Sequence, residues 1–450
     1  MADVVVVGAG LAGLAAAVAA AETGARVVIC EKQPEIGGST VLSAGLSAFA
    51  GTEEQATEGV ADDAELLRRD LLETGQHRND PALVDTYCAE QLTTYRWLRG
   101  MGIAYGEVHA ASGQSVPRSH PTDTRVLVRT LLDRALERGA DFLPETRVRR
   151  LLVEDGGVVG VVTDGGKLAA RAVVLASGGF SRSPELLARF APQMERALRG
   201  GGAGSTGDGM LMAWKAGAGV TDTPYIKGTF GIHPEPGGAE GGTGILAVYK
   251  GAIAVNGDGR RFIDESLPYK VIGDACLAQD GGIAHQIFDA GVMAHSDPSV
   301  PIYDFAARLD NGLLLQADTL DELAKQLDIP AEALTATVTE YNTAIEQGTP
   351  DPLGRRTLSG GVGRPTPIAT APFYAHPSTT VVLATYCGLT IDPHARVLDV
   401  YGEVIPGLYA AGEITGGLHG AGYVTGTSIG KAAIFGRIAG LSASEEAKSA

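Results

Sequence analysis

The first thirty residues alternate between unbroken apolar runs and glycine-marked turns. Val4 to Val7 is a continuous β-branched run, the pattern of a strand buried on both faces of a parallel sheet. Gly8-Ala9-Gly10-Leu11-Ala12-Gly13 follows, and then an alanine-rich stretch, Leu14 to Glu22, that reads as a helix closed by Gly24. A second apolar run, Arg26 to Cys30, ends at Glu31. Strand, glycine-rich turn, helix, strand and acid fall in the order of a dinucleotide-binding βαβ unit. Near the other end, Ile405 to Ala410 reads as a strand and Thr427 to Ile438 as a helix. Residues 319–346 carry helical periodicity with a capping-type start at Thr319–Glu322. Residues 349–369, rich in Pro and Gly, read as a loop that returns the chain from one domain to another. The polar tail from Ser442 to Ala450 reads as frayed.

Composition narrows the class. A chain of 450 residues, 44% apolar and 20% charged, is long enough for two or three domains around a sizeable core. A net charge of −17 argues against a nucleic-acid partner, which needs clustered Lys and Arg, and against an anionic membrane surface. Cys30, Cys88, Cys276 and Cys387 are scattered, with no CxxC, so no zinc ribbon, c-type haem or other metal site is expected. They read as buried, reduced thiols of a cytoplasmic protein. No secretory signal is read ahead of the first strand. The apolar runs are too short or too rich in Gly for membrane spans.

The chemistry of the fingerprint follows from its residues. Gly8 permits a tight turn, Gly10 lets backbone approach a pyrophosphate, and Gly13 allows close helix–strand packing. The helix start offers N–H groups and partial positive charge to phosphates. Glu31 can accept hydrogen bonds from a ribose. None of this separates FAD from NAD. The later motifs do: Gly37-Gly38-Ser39-Thr40, Ser43-Ala44-Gly45, Ala176-Ser177-Gly178-Gly179-Phe180, Thr206-Gly207-Asp208-Gly209, Gly259-Arg260-Arg261-Phe262-Ile263-Asp264-Glu265, and Ala411-Gly412-Glu413.

In that order they resemble, over nearly the whole chain, the flavoprotein family that contains soluble fumarate reductase, the succinate dehydrogenase flavoprotein subunit and the 3-ketosteroid dehydrogenases. The resemblance implies an α/β protein. A Rossmann-like FAD-binding domain is built from both chain ends, 1–229 and 371–450, with an inserted α+β capping domain, 230–370. It implies FAD contacts at Gly8, Gly10, Ala12, Gly13, Glu31, Lys32, Gly38, Ser39, Thr40, Ala44, Gly45, Val148, Ala176, Gly178, Gly179, Asp208, Gly412, Glu413, Ser428 and Ile429. Glu413 would bond a ribityl hydroxyl. Ser428 and Ile429 would stand at a helix start that favours anionic reduced flavin. Ser39 occupies the position where respiratory members carry a flavin-linked His, so noncovalent FAD is expected. With no fused haem module, electrons would pass to a soluble acceptor.

Departures from the family pattern bear on the substrate. Gly231-Ile232-His233-Pro234 keeps the family's His-Pro, which makes His233 a candidate substrate contact. Where the reductases place a proton-donating Arg, this chain has Tyr269; where they place a carboxylate-clamping Arg, it reads His419-Gly420-Ala421-Gly422-Tyr423. A Thr-Glu pair appears as Ile245-Leu246, and a further His aligns with Ala384. A buried carboxylate without a paired cation is costly, and Arg is its usual bidentate partner. A neutral, more apolar pocket is therefore expected.

The ketosteroid dehydrogenase branch is the nearer analogue. Asp264-Glu265-Ser266-Leu267-Pro268-Tyr269 matches a segment whose Tyr takes part in removing the proton α to the carbonyl. Gly426 matches a Gly whose N–H polarises the ketone, while Tyr423 lies one residue out of register with that branch's second Tyr. The catalytic candidates are thus Tyr269, Tyr423, His233 and Gly426. The resemblance then implies α-proton removal and β-hydride transfer to flavin N5, giving an enone from a neutral cyclic ketone, steroid-like or smaller. An enone or enoate reductase, and a redox-inactive flavin-binding protein, are the alternatives. Tyr269 could instead be structural, with its hydroxyl on backbone; His233 could cap a turn. Arg260 and Arg261 read as structural pairs near a domain junction. Tyr105 and Tyr386 are further pocket candidates that the sequence does not locate.

Overall fold

The computed structural model describes residues 1–226, 228–235, 243–298, 300–359 and 363–449. Residues 360–362 of the expected return loop and Ala450 of the expected tail lie outside them. The chain divides into two compact units. One comprises Met1–Ala191, Gly201–Ile226 and Ala384–Ala450; the other comprises Pro192–Gly200 and Lys227–Leu383. The sequence places its boundaries at 229/230 and 370/371, whereas packing breaks at 226/227 and 383/384. Strand pairing accounts for the difference. Phe373–Val382 pairs with four strands of the second unit, and one of them, Leu198–Arg199, runs parallel to it and draws Pro192–Gly200 into that unit.

The first unit is built on an eight-stranded sheet. Its spatial order is Arg396–Leu398, Val404–Ala410, Gly166–Leu175, Ala2–Val7, Val27–Cys30 and Asp141–Leu143, with Val148–Glu154 and Gly157–Thr163 attached beside Gly166–Leu175. The five strands from Val404–Ala410 to Asp141–Leu143 are mutually parallel. Val4, Val5 and Val6 have no exposed surface, as a strand covered on both faces requires.

The fingerprint helix, Leu11–Glu22, is buried at every residue but Glu22. It lies beside the C-terminal helix, Thr427–Ser449. A Cβ at Gly436 or Gly440 would stand 2.4 Å from Ala12 O or 2.2 Å from Ala16 O, so the two helices meet backbone to backbone. That contact carries the C-terminal helix past Ile438 and corrects the expected frayed tail. Ala443 and Ala447 are buried, and Glu446 accepts from the Tyr409 hydroxyl and from Gly407 N–H.

In the second unit, Phe373–Val382 pairs antiparallel with Thr229–Ile232, Ala284–Phe288 and Leu315–Ala317, and Ile253–Val255 pairs beyond Ala284–Phe288. The helical run expected over 319–346 is two helices, Leu320–Leu327 and Ala331–Gln347. Asp328 adopts φ 56° and Pro330 follows, a residue that cannot continue a helix from the preceding turn. Thr319 caps the first helix by accepting from Glu322 N–H.

Arg261 is structural, but it sits inside the second unit. Glu265, fully buried, accepts from Arg261 Nε at 2.8 Å and from Arg355 at 3.3 Å, and Arg261 also holds Asp351 at 2.5 Å. Arg355 donates further to the Val248 and Ala252 carbonyls. This buried cluster ties the 349–359 segment to the sheet core.

The four cysteines are buried and free. Among the described residues, no helix is long and apolar enough to cross a membrane, and no group of three or more His, Cys, Asp or Glu could hold a metal. Because Glu265 neutralises two buried guanidinium groups, Glu265→Ala is expected to destabilise the protein by about 3–5 kcal/mol. Chemical unfolding measures this; an unchanged midpoint would remove the cluster from the account of the second unit's stability.

Candidate active site

Four neighbouring parallel strands of the first unit end side by side, and the candidate cofactor residues follow their carboxyl ends. Gly8 follows Val7, Glu31 follows Cys30, Ala176 follows Leu175, and Ala411-Gly412-Glu413 follows Ala410. Ligands of open α/β sheets bind at that edge. The three fingerprint glycines differ in what confines them. Gly8 has φ 108°, and a Cβ there would lie 2.5 Å from Ala176 O; a Cβ on Gly13 would lie 1.9 Å from Gly8 O. Both positions are closed by protein. A Cβ on Gly10 would meet only Gly37 O, at 3.7 Å, so this stretch of backbone is open to a ligand. Gly10 is also the N-cap of the fingerprint helix and brings no side chain to cap it. Open backbone at a helix start suits a pyrophosphate.

The surrounding side chains build the rest of the cradle. Glu31 accepts from Ala9 N–H at 2.7 Å and Gln33 N–H at 2.8 Å, which fixes its carboxylate beside the fingerprint turn. Thr40 Oγ1 accepts from Leu11 N–H at 3.3 Å. Lys32 donates to Thr206 Oγ1 at 2.7 Å and Asp208 at 3.0 Å, and Arg147 also pairs with Asp208. Burial alone would push the Asp208 carboxyl up; Lys32 first, then Thr206 and Arg147, outweigh it and hold it below the usual carboxylate value. Ser39 Oγ accepts from Gly202 N–H at 3.0 Å. Gly38 has φ 50° with nothing within 4 Å of a built Cβ, whereas Gly45 is closed by Thr122 O. Ala44 is exposed, and Val148 is buried at the start of its strand.

Ala176 N–H donates to Val7 O, and Gly178 has φ 74°. Gly179 lies against Glu413, where a Cβ would come within 2.4 Å of Oε1. Glu413 accepts from Thr385 N–H at 3.0 Å and from Gly179 N–H. Gly412 packs on Ala12. Ser428 and Ile429 are the second and third residues of the C-terminal helix. Open backbone, an uncapped helix start and two anchored carboxylates fit the phosphates and hydroxyls of FAD.

The first unit also carries an aromatic group that sequence reading located only in part. Tyr386 and Tyr423 stack at 5.3 Å and 12°, and His419 stands edge-on to both, at 5.1 and 5.4 Å. Gly426 N–H donates to Tyr423 Oη at 3.2 Å. The pair expected to point separately at a substrate oxygen is thus joined, because the three-residue spacing folds the phenol back over the N–H. Tyr105 belongs elsewhere, in a buried cluster with Phe49, Tyr95 and His120.

In the second unit, Tyr269 opens the helix Tyr269–Leu277 directly after Pro268, with Lys270 Nζ 5.4 Å from its ring centre. His233 is buried, accepts from Glu235 N–H at 3.3 Å, and meets His376 edge-on at 5.4 Å. Burial lowers the pKa of His233. It pushes His376 down to about 3, with His233 adding to the effect. No pattern in the sequence marks His376, a polar residue in a strand interior; it bonds Ser378 Oγ at 2.8 Å and the Thr243 carbonyl at 3.1 Å. Ile245 and Leu246 are 1% and 6% exposed and belong to the second unit's core. Their replacement of a polar pair adds to packing, and the expectation that they make a pocket apolar is corrected.

Open backbone at the carboxyl edge of a parallel sheet, with carboxylates fixed there, is the arrangement of a dinucleotide-binding protein, and the family that the chain matches makes it a flavin-dependent oxidoreductase. The chain belongs to the FAD binding domain family, which matches residues 3–429. FAD is its cofactor, and it acts on CH–CH bonds of a small molecule. It is 35% identical to a fumarate reductase (cytochrome) of Shewanella frigidimarina, over 99% of this chain and 77% of that one. The open conformation of a flavocytochrome c3 fumarate reductase matches with a TM-score of 0.85 and 32% identity, over 99% of this chain and 78% of the other. The 3-ketosteroid-Δ4-(5α)-dehydrogenase of Rhodococcus jostii RHA1, in complex with 4-androstene-3,17-dione, matches with a TM-score of 0.77 and 27% identity, over 98% and 96%.

The glycine geometry yields a paired expectation. Gly13→Ala should lower the unfolding midpoint of the apoprotein, since its Cβ would overlap Gly8 O. Gly10→Ala should leave that midpoint near wild type yet weaken FAD binding about tenfold, or about 1.4 kcal/mol. Thermal unfolding of apoprotein and FAD titration measure the two; equal effects at both positions would contradict the assignment of Gly10 to the ligand.

Proposed function

We propose that the protein is an FAD-dependent dehydrogenase that introduces an α,β double bond into a neutral cyclic ketone, of steroid size or smaller. The observation that carries this reading is the aromatic group Tyr386–Tyr423–His419, which brings no guanidinium, where the fumarate reductase pattern has a carboxylate-clamping Arg. His233 agrees with it: a buried imidazole with a lowered pKa is uncharged near neutral pH and binds a carbonyl oxygen more readily than it pairs with a carboxylate.

In this reading Tyr423 donates its hydroxyl to the ketone oxygen, and Gly426 N–H orients the phenol. Polarising the carbonyl acidifies the α C–H, and Tyr269 accepts that proton. His233 is a second polar contact for the substrate. FAD, when bound, accepts the electron pair and hydrogen released from the β carbon. The residues proposed to hold it are the cradle set from Gly8 to Ile429, with no covalent link because Ser39 stands at the linkage position. The electron acceptor is proposed to be soluble and the protein cytoplasmic.

A second reading is favoured by a specific finding, the 35% identity to a fumarate reductase. It is the same chemistry run backwards, with reduced FAD saturating an enone or enoate. Anaerobic mixing of the oxidised holoenzyme with saturated cyclic ketones and with succinate separates the two. Bleaching of the visible flavin band by a ketone and not by succinate is expected, slowed about 10²–10⁴-fold by Tyr269→Phe. If no ketone bleaches the flavin and fumarate or another enoate reoxidises the reduced enzyme, the reductase reading replaces the first.

A further inference from the structure

Lys431 is the fifth residue of the C-terminal helix and only 3% exposed. Its Nζ donates to the Thr415 carbonyl at 2.6 Å. Thr415 closes the turn that begins at Gly412: its N–H and its hydroxyl both donate to Gly412 O, at 3.1 and 2.8 Å. Glu413 lies inside that turn and reaches Thr385 and Gly179. The ammonium therefore grips the far end of the turn that presents Glu413.

Three ionisable groups face Lys431, namely Asp222, Glu413 and Cys387. Asp222 is itself buried and accepts from Gly417 N–H at 2.7 Å. Burial pushes the Cys387 thiol up to about 12, so it stays neutral. Burial also pushes the Glu413 carboxyl up, and the Thr385 N–H, Lys431 and Gly179 oppose it. For Lys431, burial pushes the ammonium down to about 8, opposed by Asp222 and then Glu413. A cation near a helix start is also disfavoured by the helix dipole. The two carboxylates are what retain it.

We propose that Lys431 is a positioning residue for the cofactor: through Thr415, and through its charge, it holds Glu413 in the geometry and ionisation state that grip FAD. The inference rests on Glu413 as an FAD contact and is independent of the substrate reading.

The test is the dissociation constant of FAD from the full-length protein, followed by flavin fluorescence as apoprotein is refilled. Lys431→Met should weaken binding about tenfold, and Lys431→Arg should retain most of it. Lys431→Met should have no further effect in a Glu413→Gln background, since contacts that act through one another are non-additive. Wild-type affinity should fall as pH rises through about 8, where the ammonium is lost, and the Met variant should show no such step. Equal weakening by Lys431→Met in both backgrounds would reduce Lys431 to a packing role and overturn the proposal. Unchanged affinity in Glu413→Gln alone would overturn it by removing Glu413 from the cofactor site. If Lys431→Met does not fold, the wild-type titration decides: affinity that stays flat through that pH overturns the proposal.

Discussion

The two helices that flank the first unit's sheet are joined by a close backbone contact. The fingerprint helix near the start of the chain and the C-terminal helix touch backbone to backbone, because Gly436 and Gly440 have no Cβ to set against Ala12 and Ala16. This brings sequence positions more than 400 apart into one layer. It places Gly412 on Ala12 and runs the two helices in parallel, with Gly436 beside Ala12 and Gly440 beside Ala16. The start of the fingerprint helix and the carboxyl ends of four strands lie along one edge of the sheet. A Cβ at Gly436 or Gly440 would overlap Ala12 O or Ala16 O and force the two helices apart.

The electrostatics follow from that geometry. The two cradle carboxylates are anchored differently. Glu31 is held by backbone N–H groups of its own βαβ unit, whereas Glu413 sits among Thr385, Gly179 and a buried ammonium. The aromatic group contributes surface and hydroxyls and no guanidinium, and burial lowers the pKa of His233 and His376 in the second unit.

Much of this was legible in the sequence because it rests on local rules. The strand–glycine–helix order of residues 3–31 states its own geometry, and Gly8, Gly10 and Gly13 occupy the three distinct environments their spacing implies. The Thr319 cap was legible for the same reason. What the sequence hid depends on contacts distant along the chain. The polar composition of residues 442–449 concealed a helix held by burial of Ala443 and Ala447. Periodicity across 319–346 concealed the break at Asp328. Ile245 and Leu246 read as pocket residues and are core. His376 and Lys431 gave no signal, because a lone polar residue in an apolar run carries no mark of the partners it will meet. The pairing of Tyr386 with Tyr423 was hidden likewise, being set by the approach of two loops.

The central claim is that the substrate region is built for an uncharged ligand, and it can be tested without turnover. Oxidised holoenzyme is titrated with a planar phenol that mimics the enol of a cyclic ketone, and separately with fumarate, while shifts of the flavin absorption band are followed. The account predicts saturable perturbation by the phenol, weakened by Tyr423→Phe, and none by fumarate at the same concentrations. Tight, saturable perturbation by fumarate that the phenol cannot displace would contradict it.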